Sequence, residues 1–148
     1  MKVVLDTNVL ISGFKDEYSF EKRIIDEVLA GNIQAFANKQ TLRENRLLTN
    51  KKIDNADYQE QLDDFFSHVT DVINRRRIKI VRDREDNKIL ESAVEAKADY
   101  LITSDNDLLR IKEYQDVQIV TPAEFWASYK DEGMDLWKRW TNYITKNR

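Results

Sequence analysis

Met1-Lys2-Val3-Val4-Leu5-Asp6 opens the chain. Val3, Val4 and Leu5 form a short continuous apolar run, the pattern of a strand buried on both faces. Asp6 follows the run directly, and Thr7-Asn8 adds two small polar groups before Val9-Leu10-Ile11 resumes the apolar pattern. Burying a carboxylate there costs several kcal/mol unless it is paired or metal-bound. No Lys or Arg lies between Val3 and Gly13 to pair with it locally.

Working outward, strand-like and helix-like patterns alternate. Gln34-Ala35-Phe36-Ala37, Ile78 to Val81, Tyr100 to Thr103 and Val117 to Val120 read as further strands. Phe20, Ile24, Ile25, Val28 and Leu29 recur at helical spacing, with Ser19 as N-cap and Gly31-Asn32 as the stop. A helix is expected from about Gln40 to Asn50. A longer one is expected from near Asp54, carrying Tyr58, Leu62, Phe65, Phe66, Val69, Val72 and Ile73 as one apolar stripe. Ile89, Leu90, Ala93 and Val94 mark another. Thr121-Pro122-Ala123-Glu124 is a capping box with Pro at the first helical position. The spacing predicts a break at Gly133 and a last amphipathic helix bearing Leu136, Trp137, Trp140, Tyr143 and Ile144.

Alternating strands and helices imply right-handed crossovers and a three-layer α/β/α sandwich on a central parallel sheet of about five strands. The expected organisation is one domain over residues 1–126 and a helical extension over 127–148, packed on the domain or used as an interface. Ligands of such sheets bind outside the carboxyl ends of the strands.

Composition removes several chemistries. The chain has 148 residues, no cysteine and a single histidine, His68. Disulfides, thiolate metal sites, cysteine nucleophiles and His-rich metal sites are excluded. No apolar run reaches the roughly 20 residues of a membrane span. A strand starting at the N-terminus leaves no room for a signal peptide, so a cytoplasmic location is expected. The net charge of −3 argues against a simple nucleic-acid-binding module, which carries a basic face. It is compatible with an acidic site that awaits a cation.

Four acids stand where such a fold puts its site. Asp6 ends the first strand, Asp105 ends Tyr100-Leu101-Ile102-Thr103-Ser104, Asp86 opens the helix after Ile78 to Val81, and Glu44 lies in an early helix. Asp86 and Asp105 have a competing explanation, because Asp is a favoured N-cap worth about 1 kcal/mol. A Glu on a helix surface is ordinary. Asp6 has no such explanation.

These residues also resemble a family. Val4-Leu5-Asp6-Thr7-Asn8-Val9-Leu10-Ile11-Ser12-Gly13 is similar to the opening motif of PIN-domain nucleases. Asp83-Arg84-Glu85-Asp86-Asn87-Lys88-Ile89-Leu90, then Ala98-Asp99-Tyr100-Leu101-Ile102-Thr103-Ser104-Asp105-Asn106-Asp107-Leu108-Leu109, resemble its second half. Val120-Thr121-Pro122-Ala123-Glu124-Phe125 looks like its end. The resemblance spans about residues 2 to 126 and is nearest to the prokaryotic PIN proteins that form the toxin of toxin–antitoxin pairs. It implies Asp6, Glu44, Asp86 and Asp105 as catalytic metal ligands, with Asn8, Thr103 and Asp107 as supports. The Thr41-Leu42-Arg43-Glu44-Asn45 stretch departs most from the family pattern. Asp83 and Glu85 compete with Asp86 as ligand, and the family pattern favours Asp86.

The implied activity is a ribonuclease dependent on Mg²⁺ or Mn²⁺. Such ions take oxygen ligands, acidify water and position phosphate, so no protein nucleophile is needed. Implied partners are an RNA substrate, a protein antitoxin and a second copy of the chain, without a membrane. Lys39, Arg43 and Arg46, near Glu44, are the candidate substrate contacts. Arg75-Arg76-Arg77 with Lys79 is the densest basic run. At the end of the long helix it would complement the helix dipole, and tracking a phosphate backbone is its lesser reading. The rival functions are a catalytically silent PIN-like scaffold, a phosphotransfer receiver and an Asp-nucleophile phosphatase. The receiver lacks paired acids at strand one, and the phosphatase would want Asp where Asn8 stands.

Overall fold

The computed structural model describes residues 1–44 and 56–146. Strand β1 (Lys2–Leu5) leads into α1 (Thr7–Lys15) and α2 (Phe20–Leu29). Strand β2 (Gln34–Asn38) is followed by helical residues 39–44 (α3), then α4 (Ala56–His68) and β3 (Thr70–Val72). Helix α5 (Arg84–Glu95), β4 (Tyr100–Ile102), α6 (Asn106–Leu109), β5 (Glu113–Tyr114), β6 (Val117–Val120) and α7 (Pro122–Lys146) complete the chain.

The sheet has six strands in the order β3-β2-β1-β4-β6-β5. All neighbours pair in parallel except β5 and β6. Alternation along β1 sends Val3 and Leu5 into one core layer and Val4 into the other. The first layer gathers Val9, Leu10 and Phe14 of α1, Ile24, Ile25 and Val28 of α2, Leu62 and Phe65 of α4, and Phe125 of α7. The second gathers Ile89, Leu90 and Ala93 of α5 with Leu108 of α6. This is the expected α/β/α sandwich, with one more strand.

Local chemistry explains most ends. Ser19 Oγ accepts from the Lys22 amide and starts α2. Gly31, at φ 81°, stops it: the Gly31 amide donates to Val28 O and the Asn32 amide to Glu27 O, the paired bonds of a Schellman motif. Thr121 Oγ1 accepts from the Glu124 amide, the N-cap half of the expected capping box.

Four expectations need correction. Helix α4 ends at His68 rather than Ile73, because Val69-Thr70-Asp71-Val72-Ile73 is rich in β-branched residues and pairs with β2 instead. Arg75, Arg76 and Arg77 therefore do not close a helix. Ile78 to Val81 is not a strand. The Ile78 amide donates to Glu91 Oε1, and the Ile80 and Val81 amides donate to Asn87 Oδ1. Side chains of α5 thus take the bonds a neighbouring strand would have made. Gly133 does not break α7; glycine costs a helix about 1 kcal/mol but leaves its hydrogen bonds intact. Finally, α1 and the β5–β6 hairpin were not foreseen. The hairpin turns on Gln115 and Asp116, both at positive φ, without the Gly or Asn that announces such a turn.

Candidate active site

The strand order sets the location. The chain leaves β1 for β2 and β3 on one side, then returns to β4 on the other side of β1. That reversal opens a crevice beyond the carboxyl ends of β1 and β4, where ligands of such sheets bind. Asp6 follows β1 at once, and Thr103 and Asp105 follow β4.

Asp6 is buried, with the Asp6 amide donating to Ile102 O at 3.0 Å. It occupies the N-cap position of α1 but makes no side-chain capping bond. Instead its Oδ2 accepts from the fully buried Thr103 hydroxyl at 2.8 Å. Thr103 Oγ1 in turn accepts from the Asp105 amide at 3.0 Å. One hydroxyl thus ties the end of β1 to the loop after β4. Asp105 Oδ1 accepts from the Asp107 amide at 2.9 Å, so Asp105 is a true cap of α6. A cap uses one carboxylate oxygen and leaves the other available.

Asp86 is different from its sequence reading. The cap of α5 is Asp83, whose carboxylate accepts from the Glu85 amide at 2.8 Å. Asp86 sits inside the first turn, 8% exposed, with no capping duty to explain it. Glu85 is exposed and paired with Lys88 at 2.9 Å. Of the three neighbouring acids, Asp86 is the one turned inward.

Asp86, Asp105 and Asp107 each offer an oxygen within 4.8 Å of the others. Burial is the main force that pushes the Asp86 carboxyl up to about 7, followed by the charges of Asp105 and Asp83, a hydrogen bond with Asp105 and the charge of Asp6. Burial also raises Asp6, with Asp105 adding to it. The Thr103 hydroxyl and the amides of Thr7 and Asn8 pull it back down. Acids that resist ionising together are neutralised by a proton or by a cation. An all-oxygen, carboxylate-rich donor set suits a hard divalent cation such as Mg²⁺ or Mn²⁺. Asp86, Asp105 and Asp107 would hold it, with Asp6 beside them.

The remaining candidates stand further out. Asn8 is exposed at the start of α1. Glu44 does not belong to the three-acid group, and its Oε1 accepts from Gln40 Nε2 at 3.3 Å. Lys39 and Arg43 are exposed on α3, and Arg46 lies outside the described residues. The sequence reading passed over Asn87 and Glu91. Asn87 Nδ2 also donates to Val81 O and Asp83 O, so this one side chain holds the loop that aims Asp83 and Asp86. Polar residues at helical spacing on the inner side of α5 were the available signal.

Comparison with known proteins agrees with this geometry. A family model described as PIN domain matches residues 2–107. An uncharacterized protein of Methanocaldococcus jannaschii, MJ1680, is 29% identical over 139 residues, covering 84% of this chain and 89% of its own length. No solved structure matches the chain.

Proposed function

The chain belongs to the PIN-domain family, typically nucleases, and from that premise we propose that it is a metal-dependent ribonuclease acting as the toxin of a toxin–antitoxin pair. The observation that carries the nuclease reading is the group of Asp86, Asp105 and Asp107 beside buried Asp6, at the crevice of the sheet. A silent scaffold has no use for carboxylates held together against their own repulsion. The toxin role rests on the sequence resemblance alone.

A bound divalent cation supplies Lewis-acid polarisation of a phosphodiester and a more acidic water. The chain's own residues do the rest. Asp86 and Asp105 would hold the cation from two helix starts, and Asp107 would add a third carboxylate. Thr103 fixes Asp6 and the Asp105 backbone relative to each other, so the acids keep their spacing as substrate enters. The burial and neighbouring charges that push the Asp86 carboxyl up to about 7 are the forces a bound cation would offset. Mg²⁺ and Mn²⁺ both fit these donors.

The test compares wild type with Asp6→Asn on several RNAs and on single-stranded DNA, with and without Mn²⁺. Cleavage by wild type that requires Mn²⁺ and falls at least 100-fold in the variant is expected. Equal cleavage by both proteins would refute the mechanism. Any antitoxin or second copy would have an obvious landing place: Leu136, Trp137 and Trp140 on α7 are 65%, 59% and 54% exposed.

A further inference from the structure

A cleft of about 330 Å³ lies beside α5, lined by Asn38, Gln40, Asn74, Arg75, Arg76, Arg77, Arg84, Lys88 and Glu91. Five of these are cations and one is an acid. Glu91 is spoken for by Arg84, at 2.7 Å, and Lys88 by Glu85. No carboxylate among the described residues pairs with the side chains of Arg75, Arg76 or Arg77, and all three are exposed. The helix-dipole explanation for this run is gone, since α4 ends at His68. Three adjacent arginines without counter-ions repel one another, and in a chain of net charge −3 that arrangement favours an anion.

The backbone of the run is fixed rather than loose. The Arg75 amide donates to Glu95 Oε1 at 3.0 Å, and the Ile78 amide to buried Glu91 at 2.8 Å. Asn74 Nδ2 donates to Lys88 O at 3.2 Å. The arginines are therefore presented along α5 by side chains of α5 itself. Asn38 closes β2, and Gln40 hydrogen-bonds Glu44, so the cleft borders both the carboxyl edge of the sheet and α3. Arg84 and Lys88 flank Asp86 on α5. Their side of the helix is turned away from that of Asp86, and a helix is about 10 Å across.

We propose that this cleft is a phosphate-binding subsite for the backbone of a single-stranded nucleic acid, gripping phosphates beyond the one held at the acids. This deepens the nuclease reading and rests on it. Arginine forks suit phosphate oxygens and carry no base preference, so the subsite would supply affinity and direction rather than sequence choice.

The test uses full-length protein in an Asp105→Asn background, to prevent cleavage. Binding of a fluorescein-labelled single-stranded RNA is measured by anisotropy over a range of salt. Substituting Arg75→Gln, Arg76→Gln and Arg77→Gln together should lower the slope of log affinity against log salt by about 2, at roughly 0.7 per lost phosphate contact. Lys88→Gln alone should lower it by a fraction of that. Lys138→Gln with Arg139→Gln, on α7, should leave it unchanged. Equal slopes for wild type and the arginine variant, or an equal loss in the α7 variant, would overturn the subsite. Cleavage by the otherwise wild-type protein is followed separately, so failure of the nuclease reading stays distinguishable. Cleavage with an unshifted KM in the arginine variant sinks the cleft alone; absent cleavage with altered binding sinks the nuclease alone.

Discussion

Replacing Asp86 with Asn should stabilise the metal-free protein at pH 8 while abolishing its use of metal. The folded Asp86 carboxyl titrates near 7 against an ordinary value of 3.8. That difference, about 3 units at 1.36 kcal/mol each, corresponds to roughly 4 kcal/mol. The folded state binds this proton more tightly than the unfolded chain does. The contribution is therefore fully present below about pH 4 and is lost as pH rises through about 7. At pH 8, wild type carries the whole penalty and Asp86→Asn carries none. Because Asp86 also hydrogen-bonds Asp105 and the new amide needs partners, the expected gain is about 2–4 kcal/mol. Urea unfolding in EDTA at pH 5.5 and pH 8 measures it. The wild-type curve should fall between the two conditions, and the variant curve should fall less. Millimolar Mn²⁺ should restore wild type at pH 8 and have little effect on the variant. Parallel pH dependence in the two proteins would refute the reasoning, as would a melting temperature of wild type indifferent to Mn²⁺.

Two more outcomes follow from single side chains. Thr103→Val keeps the shape but removes the hydroxyl between Asp6 and the Asp105 amide; a loss of about 2 kcal/mol in EDTA is expected, and under 0.5 kcal/mol would contradict the link. Asn87→Ala frees the amides of Ile80 and Val81. Hydrogen exchange at those two positions should quicken by at least 10-fold while exchange in β1 and β4 changes much less; uniform protection would show that the loop is held by something else.

The layers of this fold were readable because buried strands and amphipathic helices leave strong periodic marks. Val3 to Leu5, Tyr100 to Ile102 and Val117 to Val120 are strands in both readings. Ile78 to Val81 misled because its apolar content is genuine: Ile78 is buried against α5. What it lacks is a strand neighbour, and hydrophobicity carries no information about where amide bonds go. Val69 to Val72 misled in the opposite sense, since its apolar residues fit both a helical stripe and a strand. The site divides similarly. The burial of Asp6 was legible from its place after a buried strand, and the resemblance pointed to Thr103 and Asp107, which the fold sets beside Asp6 and Asp105. That Asp83 rather than Asp86 caps α5 depends on three residues of helix register, less than one turn and finer than periodicity places a helix start.

All three tryptophans of the chain, Trp126, Trp137 and Trp140, belong to α7. Trp126 packs at the edge of the core, tilted against Tyr129, while Trp137 and Trp140 meet each other at a tilt, ring centres 5.2 Å apart, on the exposed half of the helix. The intrinsic fluorescence of this protein is therefore mostly a signal from outside its core. Loss of the β1–β4 crevice would leave two of the three emitters in nearly the same surroundings, and fraying of the last turns would change them with the crevice intact. An unfolding curve drawn from tryptophan emission would describe α7, and one drawn from tyrosine absorbance, with Tyr18, Tyr58, Tyr100 and Tyr114 outside that helix, would weigh the domain more heavily.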